Sequence, residues 1–265
     1  MDRKLPQVEF CGRKISRLIV GGNPFSGFSH IDSATNAEME DYYSADNIKK
    51  ALRSCLENGI DTALLRGDRH IVRMLREFRL DGNDINWIGQ STPENVSFES
   101  VVRYIKGNGA FCLYHHGTET DKLFRAGEYA EIKRRLDVIR ESGLPVGLGS
   151  HMPAVFEYAE EHHWNADFYT CCVYDIDKNP GRETFDEDDP PRMYEFIRST
   201  DKPCLAFKIL GAGRKCATPE TVEAAFRTAF ENIKPTDAVV VGIFQKYGDQ
   251  AAQNAEIVKR IAGQP

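Results

Sequence analysis

Long apolar runs are missing from this 265-residue chain, and none approaches the roughly 18 residues that a membrane-spanning helix needs. The first ten residues, MDRKLPQVEF, also lack the apolar core of a secretory signal peptide. We therefore expect a cytoplasmic protein that does not bind a membrane.

The cysteines follow no metal-binding or disulfide pattern. The seven cysteines make an odd count, form no CxxC pair and include the adjacent Cys171 and Cys172. This distribution favours reduced, mostly buried thiols over a disulfide framework. A chain of this length buries about three quarters of the surface that its unfolded form exposes, so its stability requires no covalent or metal cross-link.

A strong charge of one sign is also missing. The net charge is -6, and the basic residues are scattered rather than gathered into a stripe. Nucleic acid is therefore excluded as an expected partner, and a small-molecule substrate is favoured. The sequence leaves the oligomeric state open.

What the chain does contain is a regular series of eight short apolar runs. Runs of this length, without polar alternation, are typical of strands that are buried on both faces. The runs are RLIVGG (17–22), DTALLRG (61–67), INWIGQ (85–90), AFCLYH (110–115), PVGLGS (145–150), DFYTCCVY (167–174), PCLAFKIL (203–210) and AVVVGIF (238–244).

Helical patterns lie between most of these runs, as the crossovers of a parallel sheet require. They cover 44–58, 68–79, 96–107, 125–142, 153–163, 188–199, 218–232 and 249–262. Eight strand–helix alternations predict a single (β/α)8 TIM barrel domain over residues 1–265, with a doubly wound open sheet as the alternative. Loops 23–43 and 175–191 are longer than a barrel requires, and we expect them to be functional lids or mobile segments.

Polar residues stand at nearly every predicted strand end, where the catalytic groups of such barrels lie. Those predicted to act in catalysis are Arg66, His116, His151 and Lys208, and those predicted to contact the substrate are Asn23, Asp68, His70, Gln90 and Tyr174. An inert barrel gains little from desolvating so many polar groups, which favours an enzyme over a non-catalytic binding protein.

Alternation along the strands predicts which side chains face the barrel interior. In AFCLYHH it places Tyr114 and His116 inside and leaves His115 outside. In LPVGLGSH it places His151 inside. In CLAFKIL it places Lys208 inside if the large residues of that run pack against the outer helices.

The imidazoles of His116 and His151, on adjacent predicted strands, are candidate ligands of a divalent metal, with Cys172 as the third ligand. Without a metal, they are candidates for an acid and a base, or for hydrogen bonds to loop backbones. Lys208 has three interpretations: a fixed cation for an oxyanion or phosphate, a base or Schiff-base nucleophile, and a structural ion pair.

Glycines and cations follow the last two predicted strands. LGAGRK (210–215) contains Gly213 and Arg214, and Lys246 comes after the eighth strand. These two loops often hold phosphate in barrels of this kind, so the three residues are candidate cofactor ligands.

Five segments resemble the aldo/keto reductase superfamily, namely GRKISRLIVGGNPF, ENGIDTALLRG, LPVGLGSH, CLAFKILGAG and AVVVGIFQKYGDQAAQN. The first resembles the opening segment of that family, which includes a short hairpin. The resemblance extends over almost the whole chain. It implies a (β/α)8 barrel and NADPH-linked carbonyl reduction.

Several catalytic positions of that family are changed in this chain. The family's acidic residue and catalytic tyrosine correspond to Leu64 and Arg66, and its lysine corresponds to Gln90. Only the histidine after the fourth strand has a counterpart, at His116 or at the residue before it. A missing general acid lowers a rate by about two to four orders of magnitude, so NADP is disfavoured as the cofactor. Asn254 stays a candidate for nucleotide binding, together with the basic residues around the eighth strand.

We therefore predict an enzyme that acts on a small polar substrate, sugar-like or carbonyl, at the C-terminal end of the barrel. Acid–base or divalent-metal-assisted chemistry of the lyase, epimerase, isomerase or hydrolase type fits these residues. The alternative is an NAD(P)H-dependent oxidoreductase with a rearranged proton donor at Tyr174, Tyr114 or His116.

Overall fold

Eight parallel strands form a closed barrel in the computed structural model of the protein, which describes residues 4–92, 97–176, 178 and 182–262. The strands are β1 (Gln7–Phe10), β2 (Arg13–Ser16), β3 (Leu18–Gly21), β4 (Thr62–Arg66), β5 (Asn86–Gln90), β6 (Cys112–His115), β7 (Val146–Ser150), β8 (Phe168–Cys172), β9 (Cys204–Phe207) and β10 (Ala238–Gly242). Strands β3 to β10 pair in chain order, and β10 pairs with β3. The predicted barrel is confirmed, and the open sheet is excluded.

Helices surround the barrel in the described part of the chain. They are α1 (Ser33–Tyr42), α2 (Ala45–Glu57), α3 (Arg69–Leu80), α4 (Phe98–Gly107), α5 (Gly117–Arg125), α6 (Tyr129–Glu141), α7 (Pro153–Glu161), α8 (Asp189–Ser199), α9 (Pro219–Asn232) and α10 (Gln250–Ile261). Short 3-10 helices cover Pro24–Ser26 and Gln245–Tyr247. No helix among the described residues is both long enough and apolar enough to cross a bilayer.

Two of these helices correct the sequence-based prediction. Loop 23–43 contains α1, whose first turn is capped by Asp32 accepting a hydrogen bond from the backbone N–H of Thr35 at 2.7 Å. The predicted helix over 125–142 begins later, as α6, and the separate helix α5 precedes it. Gly127, with φ of 75°, makes the turn between them, because a left-handed backbone angle favours glycine.

Some predictions fall partly on residues outside the described ones. Residue 96, where the third predicted helix begins, is one of them. Residues 177 and 179–181 of the predicted loop 175–191 are others, as are the ends of the predicted domain at 1–3 and 263–265.

The barrel interior is filled mainly by apolar side chains, and β9 contributes differently from our prediction. Leu205 packs inside with Ile19, Ile88 and Phe168, and Phe207 packs against this cluster. The small Cys204 and Ala206 belong instead to the outer layer, between strands and helices. Other strands supply glycine inside the barrel, which leaves room for large neighbours: a Cβ at Gly147 would lie 2.3 Å from the Phe168 ring.

An antiparallel hairpin of β1 and β2 closes the end of the barrel where the strands begin. Phe10 is 1% exposed, and its ring centroid lies 4.9 Å from that of Phe168 and 6.4 Å from that of Phe111. Phe111 therefore packs beneath the barrel. Alternation along AFCLYHH, which places Tyr114 and His116 inside, would instead direct Phe111 toward the outer helices. The polar side chains gather at the opposite end, where the strands finish. We call this end the mouth.

Candidate active site

His116 and His151 follow the neighbouring strands β6 and β7 and meet at the mouth. The backbone N–H of His116 donates to Ser91 Oγ at 3.0 Å, which ties the start of α5 to the end of β5. His115 faces outward, where its Nδ1 lies 2.7 Å from Thr120 Oγ1 and its Nε2 accepts from Arg135 at 3.2 Å. His115 is thus structural and His116 belongs to the mouth, as alternation along β6 predicted.

Asp121, from α5, holds His151 in one orientation. The carboxylate is fully buried, and its Oδ2 lies 2.6 Å from His151 Nδ1 and accepts from the His151 backbone N–H at 3.1 Å. Its Oδ1 accepts from the Ser150 hydroxyl at 2.5 Å. The imidazole also hydrogen-bonds the thiol group of Cys172, which ends β8. A carboxylate on Nδ1 fixes both the ring orientation and the proton position of a histidine.

The pKa values of the two mouth histidines are shifted in opposite directions. Burial alone lowers the pKa of His151, but its interactions with Cys172 and Asp121 raise it to about 10. Burial lowers the pKa of His116 to about 4, and the positive charge of His151 lowers it further. At neutral pH the site therefore contains an imidazolium beside a neutral imidazole. Among the described residues, the Nδ1 of His116 is a buried polar atom without a hydrogen-bond partner.

Arg66 and Lys208 bring two further positive charges to the mouth, and both contribute to the low pKa of His116 after burial and His151. Arg66 ends β4, with its Nε 3.3 Å from Asp68 and its guanidinium 5.1 Å from the ring centroid of Phe28. Lys208 follows β9, as predicted, but alternation along the strand does not explain why its side chain points to the mouth. Its φ of 60° turns the chain, so it reaches the mouth although Phe207 already faces the interior.

Two predicted substrate contacts, Gln90 and Asn23, also lie at strand ends around the mouth. Gln90 is buried at the end of β5, where its Oε1 accepts from the hydroxyl of Tyr114 at 2.6 Å. Burial raises the pKa of Tyr114 above its ordinary value, with the charge of Arg66 opposing this rise. The Nδ2 of Asn23, after β3, lies 2.9 Å from Nε2 of His30.

Other predicted substrate residues have different surroundings. Asp68 caps α3 by accepting from the backbone N–H of Ile71 at 2.8 Å. Its other carboxylate oxygen pairs with Arg66 at 3.3 Å. His70 is exposed in the first turn of α3. Tyr174 is buried in the outer layer and donates to Glu187 at 3.2 Å. The structure does not bring His70 or Tyr174 to the two mouth histidines.

The four candidate cofactor ligands contact different elements. Gly213 and Arg214 lie in the loop after β9, where the Arg214 guanidinium stacks 3.7 Å from the ring centroid of Phe185. Lys246 forms an ion pair of 2.7 Å with Glu38 of α1. Asn254 is buried within α10, with 6% of its surface exposed.

The predicted metal ligands are neighbours, but they do not form a recognisable metal site. Within the described residues, no group of three or more histidine, cysteine, aspartate or glutamate side chains is arranged to hold a metal ion. The His151 imidazole already contacts Asp121 and Cys172. The metal hypothesis for His116, His151 and Cys172 stays a prediction.

Three residues of the mouth were missed by the sequence analysis, namely His30, Asp121 and Glu183. His30 Nδ1 lies 2.8 and 2.9 Å from the two carboxylate oxygens of Glu183, so it joins the connections that follow β3 and β8. Both residues come from the predicted long loops, where strand periodicity gives no information. Asp121 was missed because α5, which begins at Gly117 directly after the two histidines, was not predicted.

Comparison with known proteins supports the architecture. No protein-family model and no curated protein sequence match the chain. Among solved structures, the Yersinia pestis dihydropteroate synthase matches at 10% identity with a TM-score of 0.55, over 97% of each chain. A Xanthomonas albilineans dihydropteroate synthase in complex with indole-2-carboxylic acid and 6-chloroguanine matches at 14% identity with a TM-score of 0.54, over 99% of each chain.

A third structure, Gox0644 in its apo form, matches at 10% identity with a TM-score of 0.62, over 98% of this chain and 96% of that one. Identities of 10 to 14% establish a shared fold and no more. Membership of the aldo/keto reductase superfamily is therefore not shown by these matches. The chain has the fold of a TIM barrel.

Proposed function

We propose that this protein is an enzyme that transfers protons on a small polar substrate, carbonyl or sugar-like, at the mouth of the barrel. One observation carries the proposal: the imidazoles of His116 and His151 meet at the mouth, where the buried Asp121 carboxylate holds His151 at 2.6 Å and the buried Nδ1 of His116 has no hydrogen-bond partner among the described residues. These surroundings shift the two pKa values in opposite directions, to about 10 for His151 and about 4 for His116. Titratable neighbours whose pKa values are driven apart are typical of an acid and a base in one site. The similarity to dihydropteroate synthases, which are named as enzymes, is in keeping with it.

The opposite protonation states assign a role to each histidine. His116 is neutral at pH 7 and acts as the base that removes a proton from the carbon next to a carbonyl. His151 is an imidazolium and acts as the acid that protonates the carbonyl oxygen. Asp121 is a positioning residue, because it fixes the His151 ring through Nδ1.

Removing a proton next to a carbonyl leaves negative charge on the oxygen, and the mouth contains cations that stabilise it. Lys208 and Arg66 supply those charges, and their positions are fixed before the reaction begins. Gln90 and Asn23 orient the substrate by hydrogen bonds. Returning the proton to another atom gives isomerisation or epimerisation, and expelling a leaving group gives elimination, so the proposal covers isomerase and lyase chemistry.

A divalent-metal form of this proposal uses His116, His151 and Cys172 as ligands. The buried Nδ1 of His116, which has no hydrogen-bond partner among the described residues, supports it. Elemental analysis of the purified protein decides between the two forms. A stoichiometric divalent metal that is lost in His116→Gln would establish the metal form.

The second candidate is an NAD(P)H-dependent oxidoreductase, which rests on the aldo/keto reductase resemblance. The observation in its favour is the Tyr114 hydroxyl, which its 2.6 Å hydrogen bond to Gln90 holds near the mouth. A tyrosine hydroxyl at this place is a candidate proton donor for carbonyl reduction. The raised pKa of Tyr114 makes that hydroxyl a weak acid. Calorimetric titration with NADPH tests this candidate, and tight binding without a metal would favour it over proton transfer.

Deuterium exchange tests the proposed function directly. Wild-type protein is incubated in D2O with a panel of aldoses, ketoses and hydroxy-carbonyl acids, and proton NMR follows the hydrogen next to the carbonyl. We expect exchange with at least one compound, slower by about 10²- to 10⁴-fold in His116→Gln because the base is lost. The matched control His162→Gln changes an exposed histidine at the end of α7 and should exchange like wild type. Equal rates in wild type and His116→Gln would refute the assignment of the base.

A further inference from the structure

Two hydrogen-bond donors at the mouth converge on a single nitrogen atom. His30 Nε2 lies 2.7 Å from Lys208 Nζ and 2.9 Å from Asn23 Nδ2. An ammonium and an amide nitrogen can only donate, so Nε2 must accept from both. The His30 imidazole is therefore neutral, with its proton on Nδ1, which donates to Glu183.

The segment that presents His30 is held in an unfavourable backbone conformation. The φ of His30 is 58°, in the left-handed region that non-glycine residues seldom adopt. Its carbonyl oxygen accepts from Arg214 at 3.1 Å, and its side chain is 17% exposed. Strained residues that persist at a binding site commonly serve the function of that site.

The geometry points to Asn23 and Lys208 as a binding subsite for an anionic oxygen of the substrate, a carboxylate or a phosphate, with His30 Nε2 occupying the same position until the substrate arrives. An anionic oxygen accepts from an ammonium and an amide more strongly than a neutral imidazole nitrogen does, because its hydrogen bonds are charge-assisted. The proposed function is presupposed here, since the substrate's carbonyl is placed at His116 and His151.

The substrate class then becomes narrower than a polar carbonyl compound. It is a small acid or phosphate ester whose anionic group lies at Lys208 while its carbonyl reaches the two mouth histidines. In this arrangement Lys208 holds the anionic group, and Arg66 is the cation left to stabilise negative charge on the carbonyl oxygen. The ligand displaces the His30 side chain from Lys208, whereas Glu183 stays with the imidazole on Nδ1. Lysine suits this task because its ammonium group is a compact point charge. It binds an anion without the planar, two-point geometry that a guanidinium favours.

Calorimetric binding of two probes, malonate and inorganic phosphate, tests the subsite without any turnover. His30→Gly removes His30 as a competitor for Lys208 and Asn23, and glycine accepts the positive φ, so we expect the variant to bind one or both probes at least 10-fold more tightly than wild type. Lys208→Gln in the His30→Gly background should lose at least 10-fold of that affinity. His163→Gly is the matched control, since His163 is an exposed histidine with φ of 51°, and its affinity should equal that of wild type.

The outcomes separate the subsite from the proposed function. Tighter binding of malonate alone identifies a carboxylate ligand, of phosphate alone a phosphate ester, and of both a general anion site. If His30→Gly binds neither probe more tightly than wild type while thermal melting shows it folded, the subsite is refuted. If it fails to fold, His30→Asn, which tolerates the left-handed conformation, is measured in its place with the same expectation. Absence of deuterium exchange combined with tighter anion binding would refute only the proton-transfer function.

Discussion

At the scale of single residues, the ammonium group of Lys208 reaches the mouth because of one backbone angle. Alternation predicted that this lysine faces the mouth, but it did so by placing Leu205 and Phe207 outside, where they are not found. The φ of 60° at Lys208 supplies the missing turn. A sequence pattern contains no signal for a positive φ at lysine, because side chains other than glycine adopt it only under tertiary constraint.

The position of His116 and His151 was predictable because both directly follow regular strands. The opposite pKa shifts of the two histidines were not predictable, because the shifts depend on partners from elsewhere in the chain. Asp121 comes from a helix, and Lys208 comes from a distant strand end.

Asp121→Asn tests whether the buried carboxylate controls the charge of His151. An amide accepts a hydrogen bond but carries no charge, so we expect the pKa of His151 to fall from about 10 toward its ordinary value. Proton transfer should slow by about 10²- to 10⁴-fold because the acid is then less stabilised in its protonated form and less firmly oriented. Titration of the histidine side chains by ¹⁵N NMR measures the pKa.

Asp41→Asn, an exposed substitution on α1, is the control for Asp121→Asn and should leave the His151 titration unchanged. An unaltered His151 titration in Asp121→Asn would show that another group holds the proton. Thermal melting of both variants confirms that each is folded before the comparison is made.

At the scale of elements, the strands were predicted well and two helices were not. The eight barrel strands lie within the apolar runs, since a strand buried on both faces needs continuous apolar sequence. Helix α1 buries only Met39, and α5 buries Gly117, Thr120 and Asp121. Hydrophobic patterns cannot reveal a helix whose buried face is nearly empty, as in α1, and they give no sign that the polar face of α5 is buried.

The orientation of β9 yields a stability prediction with a matched control. Leu205 is fully buried inside the barrel, and Leu80, at the end of α3, is 78% exposed. Leu205→Ala should lower the free energy of unfolding by about 2–5 kcal/mol, because it leaves a cavity among packed side chains. Leu80→Ala should change it by less than about 0.5 kcal/mol. Urea unfolding followed by circular dichroism measures both, and similar values for the two variants would contradict the burial of Leu205.

At the scale of the whole molecule, the buried histidines make stability depend on pH in two directions. The pKa values of His115 and His116 are lowered from 6.5 to about 3 and about 4, chiefly by burial. Below pH 6.5 the unfolded chain takes up protons that these folded histidines refuse, so stability falls as the pH drops toward 4. Each unit of pKa difference corresponds to about 1.4 kcal/mol.

His151 acts in the opposite sense. Its folded pKa of about 10 lies above the ordinary 6.5, so its contribution is fully present below pH 6.5 and is lost as the pH rises toward 10. We therefore expect unfolding free energy, measured in urea from pH 4 to 10, to be greatest near pH 6 to 7. His116→Gln should flatten the acid side of this curve relative to His162→Gln. An acid side that is the same in both variants would mean that His116 is protonated as readily in the folded protein as in the unfolded chain.

The contacts of His30 also couple parts of the chain that are far apart in sequence. One ring joins the connection after β3 to Glu183 after β8 and to Lys208 after β9. If the His30 ring leaves Glu183 and Lys208, all three connections lose a stabilising contact at the same moment. Their backbone amides should therefore exchange with deuterated solvent at one common opening rate. We therefore expect these three connections to open together in a single event, and not as three loops that fluctuate independently.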